Sequence, residues 1–332
     1  MQEIETRDVQ RNQHKNQDQS ALSIQETSPS IMSSTNQTGG GVVSTPQSGT
    51  SLSPEFPPIR ACLFDMDGLL LNTEDIYSSC ADIVLKKHGR PGLPWSLKAK
   101  LMGVPGASNG DTFHAWAQLP IPREQYQREQ SEQQKIHFPE CEPLPGVEKL
   151  LSDLRWRART AITTTNGIDN HVQIALATSS ERANYNLKTS RLATKAILDL
   201  IPEEHKVLGD DPRIRKGRGK PAPDIYLVAL QAVNDHLPPD VPQITPRECL
   251  VFEDSVIGVE AGRRAGMRVV WAPHSKLAAE YAGKEREVLA GRLGLVHIGN
   301  EEQLGVVGDG WADQLPSLEN FPYERYGIVV AS

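Results

Sequence analysis

The sequence predicts an α/β fold, a doubly wound parallel sheet interrupted by a small inserted all-helical domain, and two observations carry that prediction. From Ile59 onward, short apolar runs bounded by turn residues alternate with helical patterns, as strands buried on both faces and their crossover helices do. The stretch from 73 to 144 has helical spacing, many charged residues and no run that reads as a strand.

Three apolar runs matter most. Ala61-Cys62-Leu63-Phe64 leads into Asp65, Ile174-Ala175-Leu176-Ala177 into Thr178, and Cys249-Leu250-Val251-Phe252 into Glu253-Asp254. A fourth, Val269-Val270-Trp271, follows a helix that starts near Ser255. Ligands of open α/β sheets bind beyond the carboxyl ends of the strands, so three strands ending in oxygen-bearing side chains point to one site. In the helical stretch the spacing predicts helices over 76–88, 97–102, 111–118 and 123–137. Pro143-Leu144-Pro145-Gly146 then reads as a return linker before a helix over 147–154. The expected division is a polar tail over 1–56, a sheet domain over 57–72 and 145–332, and a helical domain over 73–144.

The tail is dominated by Gln, Ser, Thr, Asn and Gly, a composition that cannot repay the entropy of ordering, so it is expected to be disordered. With 35 basic against 42 acidic side chains and a net charge of -7, neither nucleic acid nor an anionic membrane is expected as a partner; a small molecule is. No stretch approaches the roughly 20 apolar residues that span a bilayer. The start of the chain shows no apolar signal core, and Glu3, Glu5 and Asp8 argue against a transit peptide. A cytoplasmic monomer with access to the nucleus is the expectation. Cys62, Cys80, Cys141 and Cys249 are widely spaced with no CxxC pattern, which fits reduced thiols. One passage resists the scheme: between Leu154 and Ile174 the chain is longer than the usual connection of about 4 to 6 residues. Asn166-Gly167 after a β-branched run reads as a hairpin turn, as part of a surface excursion, or as an unspliced stretch in the gene.

The chemistry starts at Asp65-Met66-Asp67-Gly68, two carboxylates just beyond a buried strand. That arrangement is costly unless a cation or a proton holds the charges together. Mg²⁺ prefers oxygen ligands and is commonly shared between carboxylates and a substrate phosphate, and Glu253-Asp254 would add further oxygens. The Cys and His spacings of a zinc site are absent. The expected metal ligands are therefore Asp65, Asp67, Glu253 and Asp254. Asp65, held most rigidly at the strand end, is the expected nucleophile toward a phosphate ester, and Asp67 the group that moves protons. Thr178 and Ser179 offer hydroxyl and backbone donors for the phosphoryl oxygens, and Lys220, set in a Gly-Lys-Pro turn, offers a positive charge. Each signal alone has a plainer explanation: a solvated turn, a helix cap, an exposed lysine. Their joint occurrence in this order at three strand ends favours the functional one.

With these residues in view, the sequence resembles the haloacid dehalogenase superfamily. Phe64-Asp65-Met66-Asp67-Gly68-Leu69-Leu70-Leu71-Asn72-Thr73-Glu74 is similar to its first motif, Thr178 to the second, Lys220 to the third and Glu253-Asp254 to the fourth. The resemblance covers roughly 59 to 275. It implies a Rossmann-like core with a helical cap, and an aspartyl-phosphate intermediate. It also implies Mg²⁺ held by Asp65, the backbone carbonyl of Asp67 and Asp254. Within that superfamily, Leu101-Met102-Gly103, Ala175-Leu176-Ala177-Thr178-Ser179-Ser180, Leu187-Lys188-Thr189-Ser190-Arg191, Val207-Leu208-Gly209-Asp210-Asp211-Pro212 and Pro322-Tyr323-Glu324 resemble the group of pseudouridine 5'-phosphatases and their eukaryotic relatives. The resemblance implies a phosphatase for a nucleoside 5'-phosphate such as pseudouridine 5'-phosphate; a sugar- or polyol-phosphate phosphatase and a phosphosugar mutase share the same core residues. Caps of this family select substrates, which makes Glu74, Tyr77 and the 103–109 loop candidates to meet the leaving group. Departures from the family are Asn72, where many relatives carry Asp, and the 155–173 excursion.

Overall fold

The computed structural model describes residues 56–103, 106–161, 170–296 and 298–331, with backbone alone for 106–109. Eight strands are present among them: β1 (Ala61–Phe64), β2 (Ala158–Thr160), β3 (Gln173–Ala177), β4 (Lys206–Val207), β5 (Cys249–Glu253), β6 (Arg268–Trp271), β7 (Ala312–Gln314) and β8 (Ile328–Val330). Six of them form one sheet in the order β4-β3-β1-β5-β6-β7, and every neighbouring pair is parallel. From β1 the chain builds outward on one side to β3 and β4, then returns to the other side of β1 with β5. The carboxyl end of β1 is therefore the switch point of the sheet, where such folds open a crevice.

The side chains of each strand alternate between two cores. Cys62, Phe64, Ile174, Leu176, Leu250 and Phe252 face one apolar cluster, completed by Leu150, Leu151 and Leu154 of helix α5 (Val147–Trp156). Ala61, Leu63, Ala175, Ala177 and Val251 face the other, with Ile225, Tyr226 and Ala229 of α8 (Asp224–Asn234) and Val256 and Val259 of α9 (Val256–Arg264). Burial on both faces is why these strands read as unbroken apolar runs. Phe64 and Phe252, paired in register, stack with ring centroids 4.4 Å apart.

Between β1 and α5 come α1 (Thr73–Lys87), α2 (Trp95–Leu101), α3 (Gly106–Ala117) and α4 (Arg123–His137), followed by a 3-10 turn, Phe138–Glu140. Val84, Leu85, Leu101, Phe113, Ala117 and Tyr126 give these helices an apolar cluster of their own. The two passages joining them to the sheet run side by side: Leu71 pairs with Pro143, and the Asn72 N–H donates to the Glu142 carbonyl at 3.0 Å. Of the 103–109 loop, 104 and 105 lie outside the described residues, and 106–109 are the first turn of α3 rather than a loop.

The passage between α5 and β3 has a definite structure at its ends. β2 pairs antiparallel with β8 near the carboxyl terminus, and on its other edge Arg159 pairs with His171. The Asn166-Gly167 turn lies outside the described residues, as does the polar tail except Phe56. That ring stands edge-on to Trp311, centroids 5.3 Å apart, beneath the guanidinium of Arg268. The four cysteines are buried and unpaired, and no helix among the described residues is long and apolar enough to cross a membrane.

Candidate active site

Asp65 follows β1 directly, and its N–H continues the ladder to the carbonyl of Phe252 at 3.1 Å. The loop behind it is tight: Gly68 donates its N–H to the Leu71 carbonyl and to Thr73 Oγ1, both at 3.0 Å. Gly68 takes φ 78, a conformation that side chains resist. The loop turns Asp67 back toward β3, where Ser180 Oγ donates to Asp67 Oδ2 at 2.6 Å.

Across the switch point, β5 delivers Glu253 and Asp254. Lys220 Nζ reaches Asp65 Oδ1 at 2.5 Å and Glu253 Oε1 at 2.6 Å, joining the first and third strand ends. Glu253 has both oxygens engaged: Oε1 also accepts from the Tyr226 hydroxyl, and Oε2 accepts from the Ser255 N–H at 3.3 Å and hydroxyl at 3.1 Å. Ser255 in turn caps α9 by accepting from the Gly258 N–H at 3.1 Å. Gly258 has to be Gly, because a Cβ there would fall 1.9 Å from the Glu253 carboxylate. Asp254 differs. Its backbone carbonyl accepts from Trp271 Nε1 at 2.7 Å, while Oδ2 is buried without a hydrogen-bond partner.

Carboxylate oxygens of Asp65, Glu253 and Asp254 lie within 4.8 Å of one another. Burial pushes Asp65 up to about 7; the Lys220 ammonium pulls it down, and Glu253 and Asp67 push it further up. Burial likewise drives Asp254 well above the ordinary carboxylate range, helped by Glu74 and Asp65. Burial disfavours the Lys220 ammonium, but Asp65 and Glu253 beside it hold it above the usual lysine value. Three acids share one ammonium, so the cluster is short of positive charge. An all-oxygen donor set and a partnerless buried oxygen fit a hard divalent cation, which Asp65 and Asp254 would hold.

Asp67 sits in a different setting. Burial would raise it, but Lys188, with bonds from Ser180 and Thr73, outweighs burial and holds it below the ordinary range. Lys188 Nζ lies 2.5 Å from Asp67 Oδ1, 2.8 Å from the Tyr77 hydroxyl and 2.7 Å from Ser180 Oγ. Glu74 is paired with Lys98 at 2.9 Å. Thr178 is fully buried, and its Oγ1 accepts the Ser180 N–H at 3.1 Å, which shapes the turn after β3.

These groups border a cavity of about 800 Å³. Asp65, Asp67, Ser179, Lys220 and Asp254 line it, as do Glu74 and Tyr77. Thr178 and Glu253 stand behind the wall. Phe113, His114, Tyr126, Gln127 and Gln130 from α3 and α4 line it as well, with the His114 and Tyr126 rings edge-on and 5.4 Å apart. The sequence had not singled out Lys188 or Tyr226 for a role: a helical lysine reads as solvated and a helical tyrosine as core, and nothing local marks either as a partner of an acid.

A family model of haloacid dehalogenase-like hydrolases matches residues 59–266. A protein of Saccharomyces cerevisiae named probable pseudouridine-5'-phosphatase is 36% identical over 81% of this chain and 98% of its own length. The (DL)-glycerol-3-phosphatase 1, mitochondrial, of Arabidopsis thaliana is 32% identical over 71% of each chain. A crystal structure of a haloacid dehalogenase hydrolase from Entamoeba histolytica shares the fold, with a TM-score of 0.50 at 19% identity over 74% of this chain and 97% of that one.

Proposed function

Since this chain belongs to the haloacid dehalogenase-like hydrolases, we propose that it is a Mg²⁺-dependent phosphatase of a small phosphorylated metabolite, working through a phosphorylated Asp65. The supporting observation is the meeting of Asp65, Lys220 and the partnerless Oδ2 of Asp254 at the switch point of the sheet. Asp65 and Asp254 would hold the ion, which when bound offsets the repulsion between carboxylate and phosphate. Glu253, with both oxygens engaged by Tyr226, Lys220 and Ser255, is assigned to holding Lys220.

In the first step an Asp65 oxygen bonds to phosphorus as the ester P–O bond breaks, and the leaving oxygen takes a proton through Asp67. Asp67 rests ionised beside Lys188, so that proton is one the phosphate monoanion brings in. In the second step water attacks phosphorus, its proton passes to Asp67, and the Asp65–phosphate bond breaks. Lys220 and the donors of the turn at Ser179 balance charge on the phosphoryl oxygens.

The helical insertion is proposed as a substrate-selecting cap over 73–144. Its aromatic rings and the amides of Gln127 and Gln130 suit a planar, hydrogen-bonding group, which favours a nucleoside 5'-phosphate such as pseudouridine 5'-phosphate. The plant relative's name makes a polyol phosphate the second choice. Screening the purified protein with Mg²⁺ against phosphorylated metabolites tests this. Release of inorganic phosphate, greatest from a nucleoside 5'-phosphate, is expected; isomerised phosphosugar with no free phosphate would overturn it.

A further inference from the structure

Lys188 carries a charge that the two-step chemistry does not use. Its side chain is wholly buried, 0% exposed, at the end of α6 (Arg182–Lys188). An ammonium has three N–H donors, and all three are taken, by Asp67 Oδ1, Ser180 Oγ and the Tyr77 hydroxyl. The Ser180 hydroxyl in turn donates a hydrogen bond to the second oxygen of the same carboxylate. Both oxygens of Asp67 are therefore pinned, one by Lys188 directly and one through Ser180.

Stability alone is a weak reason for such a group, since well-packed apolar residues often replace buried ion pairs at no loss. Its surroundings suggest another. The ammonium lies 4.7 Å from the ring centroids of both Tyr77 and Phe138, which stand edge-on to each other at 5.1 Å. Tyr77 belongs to α1 and Phe138 to the turn after α4, so the helical insertion supplies half of the seat. The other half comes from the loop after β1 and the turn after β3.

We propose that Lys188 is a positioning residue: it fixes the Asp67 carboxylate for proton transfer and makes that geometry depend on the helical insertion being seated against the sheet through Tyr77 and Phe138. This rests on the phosphatase mechanism above, in which Asp67 moves the proton to the leaving oxygen.

The test compares kcat/KM for p-nitrophenyl phosphate, whose leaving group departs without a proton, and for glycerol 3-phosphate, whose alkoxide needs one. Lys188→Met should lower kcat/KM for glycerol 3-phosphate about a hundredfold, within the range a placed proton donor contributes, and for the aryl ester less than about tenfold. Tyr77→Phe, which keeps the ring and removes one acceptor, should show the same selectivity with a smaller loss of about threefold to tenfold, and it decides the matter if Lys188→Met does not fold. Equal losses on both esters, or none, would overturn the positioning role while leaving the phosphatase intact. A wild-type protein inert toward both esters would bring down the phosphatase mechanism and this role with it.

Discussion

A Cβ placed on Gly68 would stand 2.3 Å from Oδ2 of Asp254. That oxygen is buried and partnerless, and the Gly68 backbone at φ 78 already disfavours a side chain. The Gly68 backbone thus packs directly against the Asp254 carboxylate, leaving no room for a side chain between them. Gly68→Ala should weaken Mg²⁺ binding at least about tenfold, because the methyl group and the carboxylate cannot both stay in place. The Mg²⁺ dependence of turnover and the Mg²⁺-induced rise in melting temperature both report it; an unchanged dependence would count against the proposed metal position.

Asp65→Asn should reduce turnover by at least about 10³-fold while the fold survives, because the amide keeps the volume and loses the nucleophile. Lys220 retains its contact with Glu253, so no charge is stranded. Turnover near wild type would reject Asp65 as the attacking group, and circular dichroism with thermal melting checks the fold.

Lys220→Met acts on stability as well as on catalysis. It leaves Glu253 and Asp65 buried without their ammonium, a loss of about 3–5 kcal/mol for a broken buried pair. Urea denaturation should show this drop, and adding Glu253→Gln should recover part of it by removing the stranded charge. If Lys220→Met is as stable as wild type, the ammonium is not what balances these acids.

His205 offers a pH test away from the site. Its Nδ1 lies 3.0 Å from the Ile174 carbonyl, so Nδ1 carries the proton, and Nε2 is buried with no partner. Burial lowers its pKa below 6.5 despite that carbonyl bond and the nearby Glu204; His236 and Arg155 add to the lowering. The folded state thus binds fewer protons than the unfolded state below about pH 6.5. Its contribution is complete above that pH and is lost as pH falls through the depressed folded value. Between pH 7 and 5, wild type should lose more unfolding free energy than His205→Asn, whose amide can keep the bond to Ile174. Equal slopes in denaturant titrations at the two pH values would refute the assignment.

Parts of this architecture were plain in the chain. The runs at 61–64, 174–177, 249–252 and 269–271 are central strands, legible because both of their faces are apolar. β7 was not legible: Ala312, Asp313 and Gln314 lie at the sheet edge, the first two half-buried and the last exposed, and form no apolar run. β2 was also hidden, since its pairing partner β8 lies some 170 residues further along the chain, at Ile328–Val330.

The acids at the strand ends, their order and the lysine in its Gly-Lys-Pro turn are local properties, so the sequence alone determined the fold class and the kind of chemistry to expect. Tertiary structure decided how those charges are shared. Glu253 and Asp254 are neighbours in the chain, yet one is saturated by Tyr226, Lys220 and Ser255 while the other keeps a free oxygen. Lys188, 121 residues from Asp67, becomes its partner only because the crossover from β1 to β3 brings α6 to the loop after the first strand. Burial and long-range contact set the energy of a charge, and neither is a property of the residues beside it in the chain.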